Sequence, residues 1–248
     1  MAIRSMSFFL ILSTNFIFPT DCKMTFYTST TRGIMGTGGR MDKLTFSGAI
    51  TSVQPRIRLT RSFDEATHSY LGYAVRLKGV AEDEERVFTI GIGKAAQLTW
   101  AFKVGDVISG LCLPVFDPDL DPAEYYKVSQ LAREREGSAG STTSPWELVC
   151  PPLEVYRARG HRRLAAITYE KSCQSCMWAA RMAVQIIIDN WNPRSRMKYR
   201  SETFCYGPLS CPLYKAGPTR KVEGRNRMVW EEEDWVDEQN TGHREWDE

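Results

Sequence analysis

The chain has 248 residues, 42% apolar, 25% charged and 11% aromatic, a composition outside the disordered, collagen-like and coiled-coil classes and able to bury a core. The small net charge of +2 is unevenly spread: residues 1–150 hold 16 Lys and Arg against 16 Asp and Glu, residues 151–230 hold 15 against 5, and residues 231–248 hold 1 against 9. At roughly 100–200 residues per domain the length favours two modules, and the seven cysteines are too unevenly placed for a general disulfide scaffold.

Residues 1–41 contain an apolar run, Met6 to Phe18, behind a single Arg4, which superficially looks like an export signal. Ser13, Thr14 and Asn15 interrupt it, no small-residue cleavage site follows, and it is shorter than the roughly 20 apolar residues that span a bilayer. The expectation is that the functional chain starts near Met41 and that the preceding residues are an extension, with a cleaved signal as the rival. No later segment is long and apolar enough for a membrane span, so a soluble, cytoplasmic protein without a membrane partner is expected.

Between residues 42 and 136 the pattern is strand-like. Leu44 to Leu59 places Val53, Ile57 and Leu59 on one face and Arg56 and Arg58 on the other, and Pro55, which lacks an N–H, predicts a bulge or an edge there. Tyr70 to Lys78 alternates again, with Leu71, Tyr73, Val75 and Leu77 inward and Tyr70, Arg76 and Lys78 outward. Arg86 to Ile92 is a third strand after an acidic turn. A short helix follows at Ala95 to Phe102, then strands at Val107 to Val115 and about Tyr125 to Leu131. Three meander strands, a helix and two further strands, with the turn Val104-Gly-Asp opening the fourth, resemble the OB-fold, a five-stranded Greek-key barrel.

That resemblance implies that the face of strands two and three binds an oligonucleotide or an oligosaccharide. On it Arg56, Arg58, Arg76 and Lys78 are the candidate phosphate contacts and Tyr70 the candidate stacking ring. Outward cations are also what any soluble barrel carries. Gly91-Ile-Gly-Lys94 lacks the spacing of a phosphate loop and is rejected as one.

Residues 137–149, rich in Gly and Ser, read as a flexible linker. Beyond it lie Cys173-Gln-Ser-Cys176 and Cys205-Tyr-Gly-Pro-Leu-Ser-Cys211, two local pairs separated by 28 residues. Each short loop can present two thiolates to one tetrahedral ion, so residues 150–230 are expected to form a small, basic four-cysteine module stapled by zinc, with Cys150 as a substitute ligand. The five residues inside the second pair and the Pro212 after it also suit an iron–sulfur cluster, which stays open as the alternative cofactor. Arg157, Arg159, Arg162 and Arg163, followed by Arg194, Arg196, Lys198 and Arg200 close to Trp191 and Tyr199, extend the candidate nucleic-acid surface. Met177 to Ile188, apolar nearly all round, is expected to be a buried helix.

Residues 231–248 form an acidic tail that carries Trp235 just after Trp230, placed to dock on the basic module. The histidines His68, His161 and His243 have no nucleophile or metal partner at motif distance, and no catalytic constellation is visible. The fold class expected is mainly β with an α+β C-terminal part: an OB-like five-stranded barrel followed by the four-cysteine metal-binding module. The function expected is contact with single-stranded nucleic acid, or service as an assembly adaptor. A protein–protein interaction module without nucleic acid, and an iron–sulfur protein with redox or enzymatic chemistry, are the alternatives.

Overall fold

In a computed structural model the described residues are 42–63, 65–137, 149–192 and 196–244. Their elements, in chain order, are β1 (Leu44–Arg61), β2 (Ala66–Ala81), β3 (Glu84–Ile92), α1 (Lys94–Trp100), β4 (Val107–Pro114), β5 (Tyr125–Arg135), α2 (Leu153–Arg159), β6 (Arg162–Arg163), α3 (Ala166–Thr168), β7 (Ala179–Ile187), β8 (Met197–Cys205), β9 (Arg220–Glu223), β10 (Val229–Glu232) and α4 (Asp234–Thr241). The protein is mainly β, and its helices are short. The expectations for residues 1–41, and for most of the linker, lie outside the described residues.

Strands β1 to β5 close a hydrogen-bonded ring in the order β1–β2–β3–β5–β4 and back to β1. All neighbours are antiparallel except β3 and β5, which meet in parallel at Ile90 and Tyr125. The strands fall where the alternation places them, because one face of each is buried and a shift by one residue would expose the whole apolar set. Inside the ring Val53, Tyr73, Val75, Leu77, Phe88 and Ile90 are buried together, each apolar side chain contributing roughly 1.5–3 kcal/mol.

Two irregularities re-aim side chains. The β1–β2 register skips between Ile50 and Ser52, leaving Thr51 extra, and again between Arg56 and Ile57, where Leu71 is the extra residue on β2. The second lies beside Pro55, and the residue that turns it is Gly72, at φ +127°, where a Cβ would stand 2.1 Å from the Ile92 carbonyl oxygen. A bulge inverts the alternation beyond it. Tyr70, read as outward, therefore packs against the core.

The eight-stranded mixed sheet continues past the ring. The last residues of β1 pair in parallel with β7, Arg58 opposite Ala183 through Arg61 opposite Ile186, and β7 pairs antiparallel with β8. The helix expected over Met177 to Ile188 is thus a strand. Strand β7 buries Ala180, Met182, Val184 and Ile186 on one face, while its other face carries exposed Arg181 and half-buried Gln185; apolar Ala179, Ala183 and Ile187 on that second face blur the period that separates strand from helix. Its Met182, Val184 and Ile186 share one core with Ile57 and Leu59 of the ring, and residues 41–248 form one compact unit.

The C-terminal residues fold back. Strand β10 pairs with β9, and α4 brings Asp237 within 3.0 Å of the Arg163 guanidinium, with Asp234 on the same group.

Candidate functional site

The first cysteine pair is positioned from β1. Gln54, buried on that strand, donates through Nε2 to the carbonyls of Cys173, Gln174 and Cys176 at 3.0–3.1 Å, and its own carbonyl accepts the Tyr169 hydroxyl at 2.7 Å. Helix α3 runs into a wide turn at Tyr169–Cys173, after which the Cys176 N–H donates to the Cys173 carbonyl at 3.1 Å. The Ala179 N–H in turn donates to the Cys176 carbonyl at 3.2 Å.

The second pair hangs from the end of β8. The Gly207 N–H donates to Cys205 Sγ at 3.4 Å, and Cys211 is turned inward by its own N–H to the Pro208 carbonyl at 3.2 Å. Arg162 braces this loop from β6: it lies 3.7 Å from the centre of the Tyr214 ring, donates to the Pro208 carbonyl at 2.9 Å and hydrogen-bonds the Cys205 thiol.

All four of these cysteines, Cys173, Cys176, Cys205 and Cys211, line one cavity of about 20 Å³ walled by Leu164, Trp178 and Tyr214. None forms a disulfide. Burial pushes the Cys173 thiol up to about 11 and Cys176 up to about 12, and raises Cys205 as well, which favours the neutral thiol at these three. Among the described residues no group of three or more His, Cys, Asp or Glu side chains is disposed to hold a metal ion as it stands. Cys150 does not reach the cavity: its thiol donates to the Val53 carbonyl at 3.0 Å inside the main core, which removes it as a substitute ligand.

Beside the cysteine loop runs a groove on the outer side of β1, β2 and β3. One hollow of about 370 Å³ is floored by Ser52, Ala74 and Thr89 and flanked by Arg76, Arg181 and Glu124. A second adjoins it through shared Arg76, Val87, Glu170 and Gln174, and adds Thr51, Lys78 and Lys171. Arg76 donates to the Gln174 side chain, and Arg181 pairs with Glu170, so the cysteine loop forms one wall.

The predicted cations divide. Arg76 and Lys78 line the groove. Arg56 is buried on an ion pair with Asp121, its guanidinium lying over Gly91, and Arg58 donates to the Leu120 carbonyl at 2.7 Å. Tyr70 lies under the Arg157 guanidinium, 4.9 Å from its ring centre. Arg159 stacks 4.8 Å from the Trp178 ring centre and donates to the Tyr206 carbonyl. Arg163 is 1% exposed, held by Asp234, Asp237 and the Glu232 carbonyl at 2.7 Å. These partners correct the reading of Arg56, Arg162 and Arg163 as surface contacts, because all three are buried with their guanidinium groups turned to internal acceptors.

Gln54, Lys171, Gln174 and Arg181 are site residues that the sequence reading missed. A buried Gln on an apolar strand was the one available signal, since such a group needs partners. Among the described residues no helix is long and apolar enough to cross a membrane. Comparison with protein families, curated proteins and solved structures finds no match to this chain.

Proposed function

We propose that the ring is an OB-type barrel whose groove binds single-stranded nucleic acid, and that the adjoining cysteine loops are held by a structural zinc ion. The single observation that carries the binding reading is the gathering of Arg76, Lys78, Lys171 and Arg181 along one groove over strands β2 and β3. The strand order, the parallel β3–β5 contact and the helix between β3 and β4 support an OB-type architecture, in which that face is the binding face. The cations outnumber the groove's two carboxylates, Glu124 and Glu170, and only Glu170 is paired with one of them, Arg181.

For the metal, Cys173, Cys176, Cys205 and Cys211 would be the ligands. The Gly207 N–H that donates to the Cys205 sulfur favours thiolate over thiol. A cavity of about 20 Å³ suits a single ion, which needs about one probe sphere of room, better than a multi-atom iron–sulfur cluster. Four thiolates leave no open coordination position, so zinc here would staple the fold and perform no chemistry.

Fluorescence anisotropy with labelled single-stranded oligonucleotides of mixed sequence tests the groove. Binding should weaken linearly in log–log form with salt, and Lys78→Ala with Lys171→Ala should reduce the magnitude of the slope by about 0.7 for each phosphate that is no longer neutralised. Affinity that is absent, or indifferent to salt and to both substitutions, would refute it. Elemental analysis of the full chain should find about one zinc per molecule; iron with sulfide, or no metal, would overturn the zinc assignment.

A further inference from the structure

A second cavity, of about 630 Å³, opens where the β1–β2 hairpin meets the C-terminal β10 and α4. It shares no lining residue with the groove or with the cysteine cavity, and its size is that of a small-molecule pocket.

Its lining specifies what it can hold. Leu59, Phe63, Val236 and the indole of Trp230 supply apolar surface. Of the charged groups in its wall, Arg61 and Glu232 are buried and satisfy each other at 2.9 Å, and Glu65 is an exposed carboxylate, so among the described residues of the wall no unpaired cation is left to recognise an anion. Of the remaining polar groups, Ser62, His68, His161 and Asn240, the two imidazoles and the carboxamide each offer a donor and an acceptor at fixed directions in a plane. The imidazoles are neighbours, with ring centres 4.8 Å apart, and His161 is locked edge-on against Phe204 at 4.6 Å. His68 Nε2 is buried with no hydrogen-bond partner, an exception among native buried polar atoms that calls for a partner.

We propose that this cavity is a binding site for an uncharged, planar heteroaromatic ligand of the nucleobase class, its face against Trp230 and its polar edge toward His68, His161 and Asn240. The buried Arg61–Glu232 pair and the Glu65 carboxylate disfavour an anion, while directional neutral donors and acceptors reward an edge with a mixed pattern. A purely aliphatic guest would leave His68 and Asn240 unanswered, at the cost that unmet buried polar groups carry.

Calorimetric titration of the full chain with adenosine, guanosine, cytidine and uridine tests this. At least one nucleoside should bind with a Kd of about 1 mM or tighter. Trp230→Ala, at a partly exposed side chain, should weaken that binding by about tenfold, and Asn240→Ala and His68→Asn should each weaken it measurably. Lys78→Ala should leave it unchanged, which separates this site from the groove. The absence of heat with all four nucleosides up to about 10 mM, or an unchanged Kd in Trp230→Ala, would overturn the proposal.

Discussion

Gln54 shows how one side chain joins two distant parts of the chain. Its amide reaches three carbonyls of the Cys173–Cys176 loop, more than 115 residues away, and takes the Tyr169 hydroxyl in return. Replacing it by Leu leaves those groups buried without partners, so Gln54→Leu should cost about 2–3 kcal/mol in urea unfolding; a loss below about 0.5 kcal/mol would mean that the loop holds itself. Arg163 is a comparable case. Its guanidinium is 1% exposed and depends on Asp237 of α4 at 3.0 Å. Asp237→Ala should therefore lower stability by about 3 kcal/mol, and a matching double variant with Arg163→Met should recover much of it. Neither pairing was legible in the sequence, because Arg163 and Asp237 stand 74 residues apart and a run of arginines looks the same whether solvated or spent.

At the scale of elements, the bulges decide which faces exist. The alternation of Tyr70 to Lys78 is plain in the sequence, yet Leu71 is extruded beside Gly72 and the pattern inverts at Tyr70. Gly72→Val places a side chain against the Ile92 carbonyl at φ +127°, and should destabilise by more than about 3 kcal/mol, read as a fall in the urea midpoint. The cysteine loops are the other decisive elements. Their pairing was visible as spacing, and all four cysteines line one cavity, whereas the exclusion of Cys150 came only from its bond to the Val53 carbonyl. If zinc holds the loops, Cys176→Ser should abolish metal content and lower the melting temperature; full metal retention by that variant would refute the ligand set.

The molecule as a whole joins what the linker separates in sequence. Because β7 is hydrogen-bonded to β1 and both contribute to one core, metal loss should shift a single cooperative transition, not melt residues 150–230 beneath an intact ring. Calorimetry of Cys176→Ser distinguishes the two. Acid should act through the buried imidazoles. Burial, then Arg61, lowers His68 from 6.5 to about 4, and burial, then neighbouring His68 and arginine charge, holds His161 well below its ordinary value. A base whose folded pKa is depressed binds fewer protons folded than unfolded, so stability is untouched above about pH 6.5 and declines from there toward pH 4. His68 alone should remove about 2 kcal/mol by pH 5. His68→Asn should flatten that decline in melting temperature between pH 7 and 5, and an unaltered slope would show that other groups carry it.

Local order was legible in the residues themselves. Five strands and a helix announce themselves by period, since each buries one face and the period follows from backbone geometry, and two cysteine pairs announce themselves by spacing. Tertiary structure alone decided the rest. It made most of Met177 to Ile188 a strand, β7, whose apolar Ala179, Ala183 and Ile187 on the less buried face blur the period. It spent Arg56, Arg162 and Arg163 on internal partners and turned Tyr70 inward at a bulge. It also placed Lys171 and Arg181 beside Arg76, for contacts between residues about a hundred positions apart leave no mark on local pattern.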